Sequence, residues 1–191
     1  MTRDEAQLIA DEIFALYLQY GAADYIGEPV SQVEHMCQAA QLAEAEGYDE
    51  DVILAAFFHD IGHLCEHLFP AESMNGYGTV DHEGLGGRYL REKGFSETVA
   101  RLVESHVAAK RYLTHKHPEY FNKLSEASKI TLGQQGGMMN AEEAKKFEED
   151  HLHPLFIKIR EWDDKAKVEH IPLPSLEVYK QMAIQHLLRQ N

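Results

Sequence analysis

Seven apolar residues in a row, Val52-Ile53-Leu54-Ala55-Ala56-Phe57-Phe58, run straight into His59-Asp60-Ile61-Gly62-His63. A helix with no polar face is a buried helix. Its end must then hold a carboxylate and two imidazoles away from water, which costs several kcal/mol unless a partner offsets it. A metal ion is such a partner, since imidazole nitrogen and carboxylate oxygen are ligands that first-row transition metals take. The spacing predicts His59 and Asp60 at neighbouring helical positions, with His63 one turn on, on the face of His59. A core histidine hydrogen-bonded to a neighbouring aspartate is the simpler alternative. The metal reading needs ligands from elsewhere in the chain.

At 191 residues the chain is long enough for one sizeable core, and a single domain over 1–191 is expected. A net charge of -14 argues against nucleic acid or an anionic membrane surface as partner, because both need a basic face. A small anionic substrate stays open, since a pocket's local charge decides that. Two cysteines, Cys37 and Cys65, are too few for a disulfide framework and suit a reduced, cytoplasmic protein. Met1 to Ala6 has no apolar signal core, and no stretch is long enough to span a bilayer. Of the twelve histidines, His151, His153 and His170 sit among charges and read as plain surface.

Helical periodicity recurs along the chain and no alternating strand pattern appears, so the fold class is all-α. A helix is expected over 3–20, then a loop over 21–30 that carries Tyr25 and Glu28. Ser31 with Glu34 forms a capping box for a helix over 31–47. Asp49 or Asp51 caps the buried helix. Residues 68–80 read as loop, Asp81 caps a helix to about Glu92, and Ser96 caps the next. Residues 118–133 read as two short helices. Asn140, residues 154–166 and Ser175 mark three more.

Further ligands are available. His35 lies mid-helix among apolar neighbours, and alone it reads as a satisfied core histidine. His82 sits just inside a helix start. His106 lies on an apolar stripe, and a buried imidazole must be paired. Asp163 stands late in a helix beside Asp164. Lys110, four residues after His106, and Arg160, three before Asp163, would share the helix face of a ligand. Isolated, each would read as a solvated charge.

The order His35, His59-Asp60, Asp163 resembles the HD-domain superfamily of metal-dependent helical proteins. His82 and His106 in between resemble its two-metal subset. Longer words are similar to the PhnZ-type mixed-valent di-iron oxygenases that act on 2-amino-1-hydroxyethylphosphonate. They are Asp24-Tyr25-Ile26-Gly27-Glu28, His59-Asp60-Ile61-Gly62-His63, Gly76-Tyr77-Gly78, His106 to Leu113, Gln135-Gly136-Gly137 and Lys158 to Asp163. They run in order over nearly the whole chain.

The resemblance implies an HD-type helical bundle with two iron ions in a mixed Fe(II)/Fe(III) state. One would be held by His35, His59, Asp60 and Asp163, the other by Asp60, His82 and His106, with Asp60 bridging. It implies that His63, Lys110, Ser128, Thr131 and Arg160 face a phosphonate, and that Tyr25 and Glu28 form a lid. The tyrosine would fill the open position on the His82/His106 iron and the carboxylate would bind the substrate's amine. The implied activity is O2-dependent cleavage of a carbon–phosphorus bond, giving phosphate and glycine, or an N-methylated glycine such as glycine betaine. The substrates would be a small organophosphonate and O2. An HD-type metal-dependent phosphohydrolase acting on a small phosphate ester is the alternative, and a silent metal-binding module is a third reading. The segment 64–70 departs from the family's pattern and is expected to line or cover the pocket.

Overall fold

The computed structural model describes residues 1–25, 27–69 and 79–190. These residues form eleven helices and no sheet, in keeping with the all-α expectation. In chain order they are α1 (Arg3–Tyr20), α2 (Gln32–Ala45), α3 (Glu50–Phe58), α4 (Ile61–Cys65), α5 (His82–Glu92), α6 (Glu97–Lys116), α7 (Pro118–Lys123), α8 (Glu126–Gln134), α9 (Ala141–Glu148), α10 (His153–Lys165) and α11 (Leu176–Arg189). No described helix is long and apolar enough to cross a membrane.

Helix α3 is the axis of the core, as its uniformly apolar sequence requires. Every residue from Val52 to Phe58 is buried, and the helix packs on α2, α6, α10 and α11. Phe57 stacks on Phe14 and Tyr17 of α1 and on Tyr179 of α11, with ring centres 5.6, 4.7 and 4.5 Å apart. Phe58 meets Phe95 edge-on at 5.4 Å. Aromatic pairs in these arrangements add to the burial of their area. Of the two candidate caps, Asp49 takes the position, accepting from the Val52 N–H. Ser31, Ser96, Ser125, Asn140 and Ser175 cap their helices with their side chains.

The helix does not continue through the His-Asp pair. His59 closes α3, Asp60 has φ −106° and ψ 13°, and α4 begins at Ile61. His59 and His63 therefore belong to different helices and share no face, contrary to the spacing argument. In an unbroken helix, adjacent side chains diverge by about 100°. The break at Asp60 turns its carboxylate back toward the imidazole of His59.

Helices α4 and α5 meet backbone to backbone. A Cβ on Gly62 would lie 1.8 Å from the His82 carbonyl oxygen, and one on Gly86 would lie 3.2 Å from the Gly62 nitrogen. This approach seats His82 beside α4. Asp81 does not cap α5 with its side chain: its backbone is left-handed at φ 55°, and its carboxylate pairs with Arg88 at 3.2 Å.

Other sequence expectations also change. Leu64 and Cys65 lie in the core, while Leu68 and Phe69 line a surface groove with Leu16 and Tyr89. The described part of 64–70 thus packs on α1 and α5 and does not line the pocket. Ile26, Pro70 and the word Gly76-Tyr77-Gly78 lie outside the described residues. His151 and His170 are exposed, but His153 is half-buried against Phe147.

Candidate metal centre

Six side chains from five places converge: near the ends of α2, α3, α5 and α10 and at the middle of α6. They are His35, His59, Asp60, His82, His106 and Asp163, each at most 4% exposed. Asp60 stands in the middle. Its Oδ2 lies 3.4 Å from His35 Nε2 and 3.5 Å from His59 Nε2. Its Oδ1 lies 3.3 Å from both His82 Nε2 and His106 Nε2. One carboxylate therefore offers one oxygen to each of two imidazole pairs. Asp163 Oδ1 adds itself to the first pair, 3.4 Å from His35 Nε2.

The tautomers follow from the hydrogen bonds. Each Nδ1 faces a backbone carbonyl, which can only accept: Ala166 for His35 at 2.8 Å, Ala56 for His59 at 2.8 Å, Thr79 for His82 at 3.3 Å and Val103 for His106 at 3.0 Å. Each Nδ1 thus carries hydrogen, and in the neutral ring each Nε2 presents a lone pair. Yet His35 Nε2 and His59 Nε2 are 3.0 Å apart, and His82 Nε2 and His106 Nε2 are 2.9 Å apart. Two facing lone pairs repel unless a cation stands between or beside them. Asp60 Oδ2 is in addition buried with no hydrogen-bond partner.

These observations fit a metal: lone pairs of buried nitrogens aimed together, an orphaned buried oxygen, and second nitrogens locked by carbonyls in the manner of metal-bound histidine. Among the described residues two groups are compact enough to hold an ion, His35 with His59 and Asp163, and Asp60 with His63 and His82. Burial works to lower the His35 pKa, but the Asp163 and Asp60 carboxylates outweigh it and raise it to about 9. Burial works to raise the pKa of Asp60, but the surrounding imidazoles hold it well below the usual carboxylate range.

A cavity opens on this cluster. Tyr25, Glu28, Gln32, His63, Lys110, Ser128, Thr131, Gln135 and Arg160 line it beside Asp60, His82, His106 and Asp163. Every substrate-facing residue expected from the sequence is among them. Lys110 is 3% exposed and donates to Thr131 Oγ1 at 2.9 Å. Burial, and then the nearby Arg160 charge, depress its pKa to about 7. Arg160, also 3% exposed, donates through Nη1 to Asp163 Oδ2 at 2.7 Å, through Nε to the Tyr120 hydroxyl at 2.9 Å, and through Nη2 to Asp164. His63 stacks on His82 with ring centres 4.0 Å apart, and its Nδ1 accepts from the Thr79 N–H. Burial pushes its pKa down to about 3.

Tyr25 lies flat on His35, ring centres 4.1 Å apart at 14°. Burial, and then the charges of Asp60 and Asp163, lift the pKa of its hydroxyl well above the usual value. Glu28 accepts from the Ser125 hydroxyl at 2.6 Å and from Lys167 at 2.7 Å.

Sequence reasoning gave no role to Gln32 and Gln135 of the lining, nor to four residues around it. Tyr120 and Asp164 hold Arg160, and Lys167 holds Glu28. Glu83 lies 3.5 Å from His82 Nδ1, with a buried oxygen that has no partner. Asp164 and Glu83 each directly follow a ligand candidate along the chain, and that adjacency is the signal that marks them.

The profile of the HD domain matches residues 33–155. The chain belongs to the HD-domain family. That match spans five of the six converging side chains and stops short of Asp163. Relatives cover more of the HD-domain chain. A [1-hydroxy-2-(trimethylamino)ethyl]phosphonate dioxygenase (glycine-betaine-forming) from Leisingera caerulea is 40% identical over 87% of this chain and 84% of its own. A hydroxymethylphosphonate dioxygenase from Gimesia maris is 37% identical over 87% and 82%. An uncharacterized protein of Acanthamoeba polyphaga mimivirus is 45% identical over 92% and 80%. The resemblance to HD-domain phosphonate oxygenases read from the sequence is thereby supported.

Proposed function

We propose that this protein is an O2-dependent di-iron oxygenase that cleaves the carbon–phosphorus bond of a small 1-hydroxyphosphonate. The observation that carries the reading is the placement of Asp60, one oxygen toward each of two imidazole pairs. His35, His59, Asp60 and Asp163 would hold one iron, and Asp60, His82 and His106 the other. Bound there, an iron pair supplies the redox capacity to use O2. The named dioxygenases among the relatives support phosphonate as the substrate class.

The chain's own residues do the rest. Lys110 and Arg160 offer positive charge on the same side of the cavity, Lys110 as a point charge and Arg160 as a planar donor already anchored by two carboxylates. Ser128 and Thr131 add hydroxyl donors from α8, and His63 offers an imidazole that stays neutral at pH 7. Glu28 meets the substituent on the next carbon, with an ammonium group as the fitting partner. Tyr25, flat on His35, keeps water off the metal side until substrate enters. For 2-amino-1-hydroxyethylphosphonate the products are glycine and phosphate. One O2 balances the reaction: the C–P bond breaks, the hydroxylated carbon becomes a carboxylate, and the two oxygen atoms end in the two products. An N-trimethylated substrate would give glycine betaine.

The test is oxygen uptake together with phosphate release from hydroxylated aminoalkylphosphonates by the iron-loaded protein. Both should occur in air and both should stop without it. Phosphate release that persists without O2 would return the protein to the metal-dependent phosphohydrolases. Asp60→Asn should lose both metals at once, read by iron analysis. A full complement in that variant would end the bridging assignment.

A further inference from the structure

Glu28 faces the cavity with its charge already met. Its Oε1 accepts from Lys167 Nζ at 2.7 Å and from Ser125 Oγ at 2.6 Å. The pair is sheltered, with the Glu28 side chain 7% and the Lys167 side chain 13% exposed. Lys167 Nζ also lies 5.9 Å above the Tyr25 ring. This lysine follows directly on Ala166, whose carbonyl holds His35. One ammonium group therefore touches both loop side chains that face the cavity.

Helix α8 acts as a ruler for what can bind. Ser125, Ser128 and Thr131 stand on successive turns and meet Glu28, Arg160 and Lys110 in that order. The rise along a helix puts the cationic end of the cavity about 4.5–9 Å from the Glu28 end. A phosphonate held by Lys110 and Arg160 thus carries a substituent on its second carbon into the place next to Glu28.

We propose that Lys167 is a specificity-determining residue, an internal occupant of the cation subsite that a substrate's ammonium must displace from Glu28. This rests on the phosphonate reading above. Chemistry then ranks the substituents. A primary ammonium has N–H donors and replaces the lysine's hydrogen bond like for like. A trimethylammonium has none, so it displaces Lys167 at a disadvantage. A phosphonate without nitrogen leaves the Lys167–Glu28 pair intact. The lysine thus favours primary amines over quaternary ones while accepting substrates that carry no amine.

The test is binding to the iron-loaded protein without O2, so that no turnover intervenes. The probes are hydroxymethylphosphonate, 2-amino-1-hydroxyethylphosphonate and its N-trimethyl analogue. Lys167→Met should tighten the primary amine by about tenfold and the trimethyl compound by more, and leave hydroxymethylphosphonate within about twofold. Lys167→Arg, which keeps the charge and the donors, should retain the wild-type ratios. If Lys167→Met does not fold, Lys167→Gln is read in the same way. Equal shifts for all three probes, no shift for any, or no binding by any would overturn the proposal. Differential binding with no phosphate release in air would leave the proposal standing and remove the oxygenase reading.

Discussion

Lys110 shows how burial turns an ordinary residue into a titrating one. Its ammonium is disfavoured by burial and by Arg160, so its pKa sits near 7 in the folded protein. Between that value and the ordinary value for lysine, the unfolded chain binds more protons than the folded one. This group's contribution to stability therefore rises with pH across that window. Anion binding has the opposite sign, since it needs the charged form: affinity should fall as pH rises through about 7, and binding above it should take up a proton. Sulfate, whose charge is fixed over this range, is the probe. Its binding enthalpy at pH 8 should vary with the buffer's ionisation enthalpy in the wild type and not in Lys110→Arg. Arg160 carries a second prediction. It donates to Asp163 at 2.7 Å, so in the proposed reading it would act on the metal side as well as on an anion. Arg160→Ala leaves a buried carboxylate without its partner, a loss of about 3 kcal/mol. Iron content should fall along with substrate affinity. Full iron in a variant with weakened binding would confine Arg160 to the anion.

At the scale of elements, the sequence disclosed the helices well and their interruptions poorly. The apolar run of α3, the Ser31 capping box and the Asn140 cap are local signals, written in side chains a few residues apart. The break at Asp60 is not local: it sets the carboxylate among imidazoles from α2, α5 and α6. Spacing therefore put His59 and His63 on one face when two helices carry them. Of the six converging side chains, His106 was marked by its apolar stripe and His59-Asp60 by the apolar run before it, whereas His82 and Asp163 alone read as capping or solvated residues and joined the set through the family resemblance. Lys167 was illegible because a lysine among charges carries no mark of which acid it will meet. The contact of α4 with α5 hangs on Gly62. Gly62→Ala forces a Cβ into the His82 carbonyl, and such overpacking costs about 1–3 kcal/mol. The variant should melt lower and lose iron from the His82 side first, read by thermal unfolding and metal analysis. A variant with wild-type melting and iron content would show that α5 can shift without moving its ligand.

At the scale of the whole molecule, one aromatic cluster lies apart from the ligand candidates. Phe14, Tyr17, Phe57 and Tyr179 knit α1, α3 and α11 without any ligand candidate among them, whereas α2, α5, α6 and α10 meet through imidazoles and carboxylates. A bound metal that the unfolded chain does not hold stabilises by about 4 kcal/mol at a thousandfold excess over its dissociation constant. Removing iron with a chelator should lower the melting temperature and raise hydrogen exchange in α5 and in the loop at 21–31, while α1 and α11 stay protected. Uniform deprotection would show one cooperative unit. The carbonyls behind the four imidazoles carry a further consequence, for the order of assembly. His59, His82 and His106 each lean on the carbonyl three residues earlier in their own stretch of chain. Their rings can be oriented as soon as those turns form. His35 leans on Ala166, which lies 131 residues away. During synthesis the chain thus makes its first imidazole early and must wait until α10 has emerged before that ring is fixed. The centre closes last around the ligand candidate that was translated first.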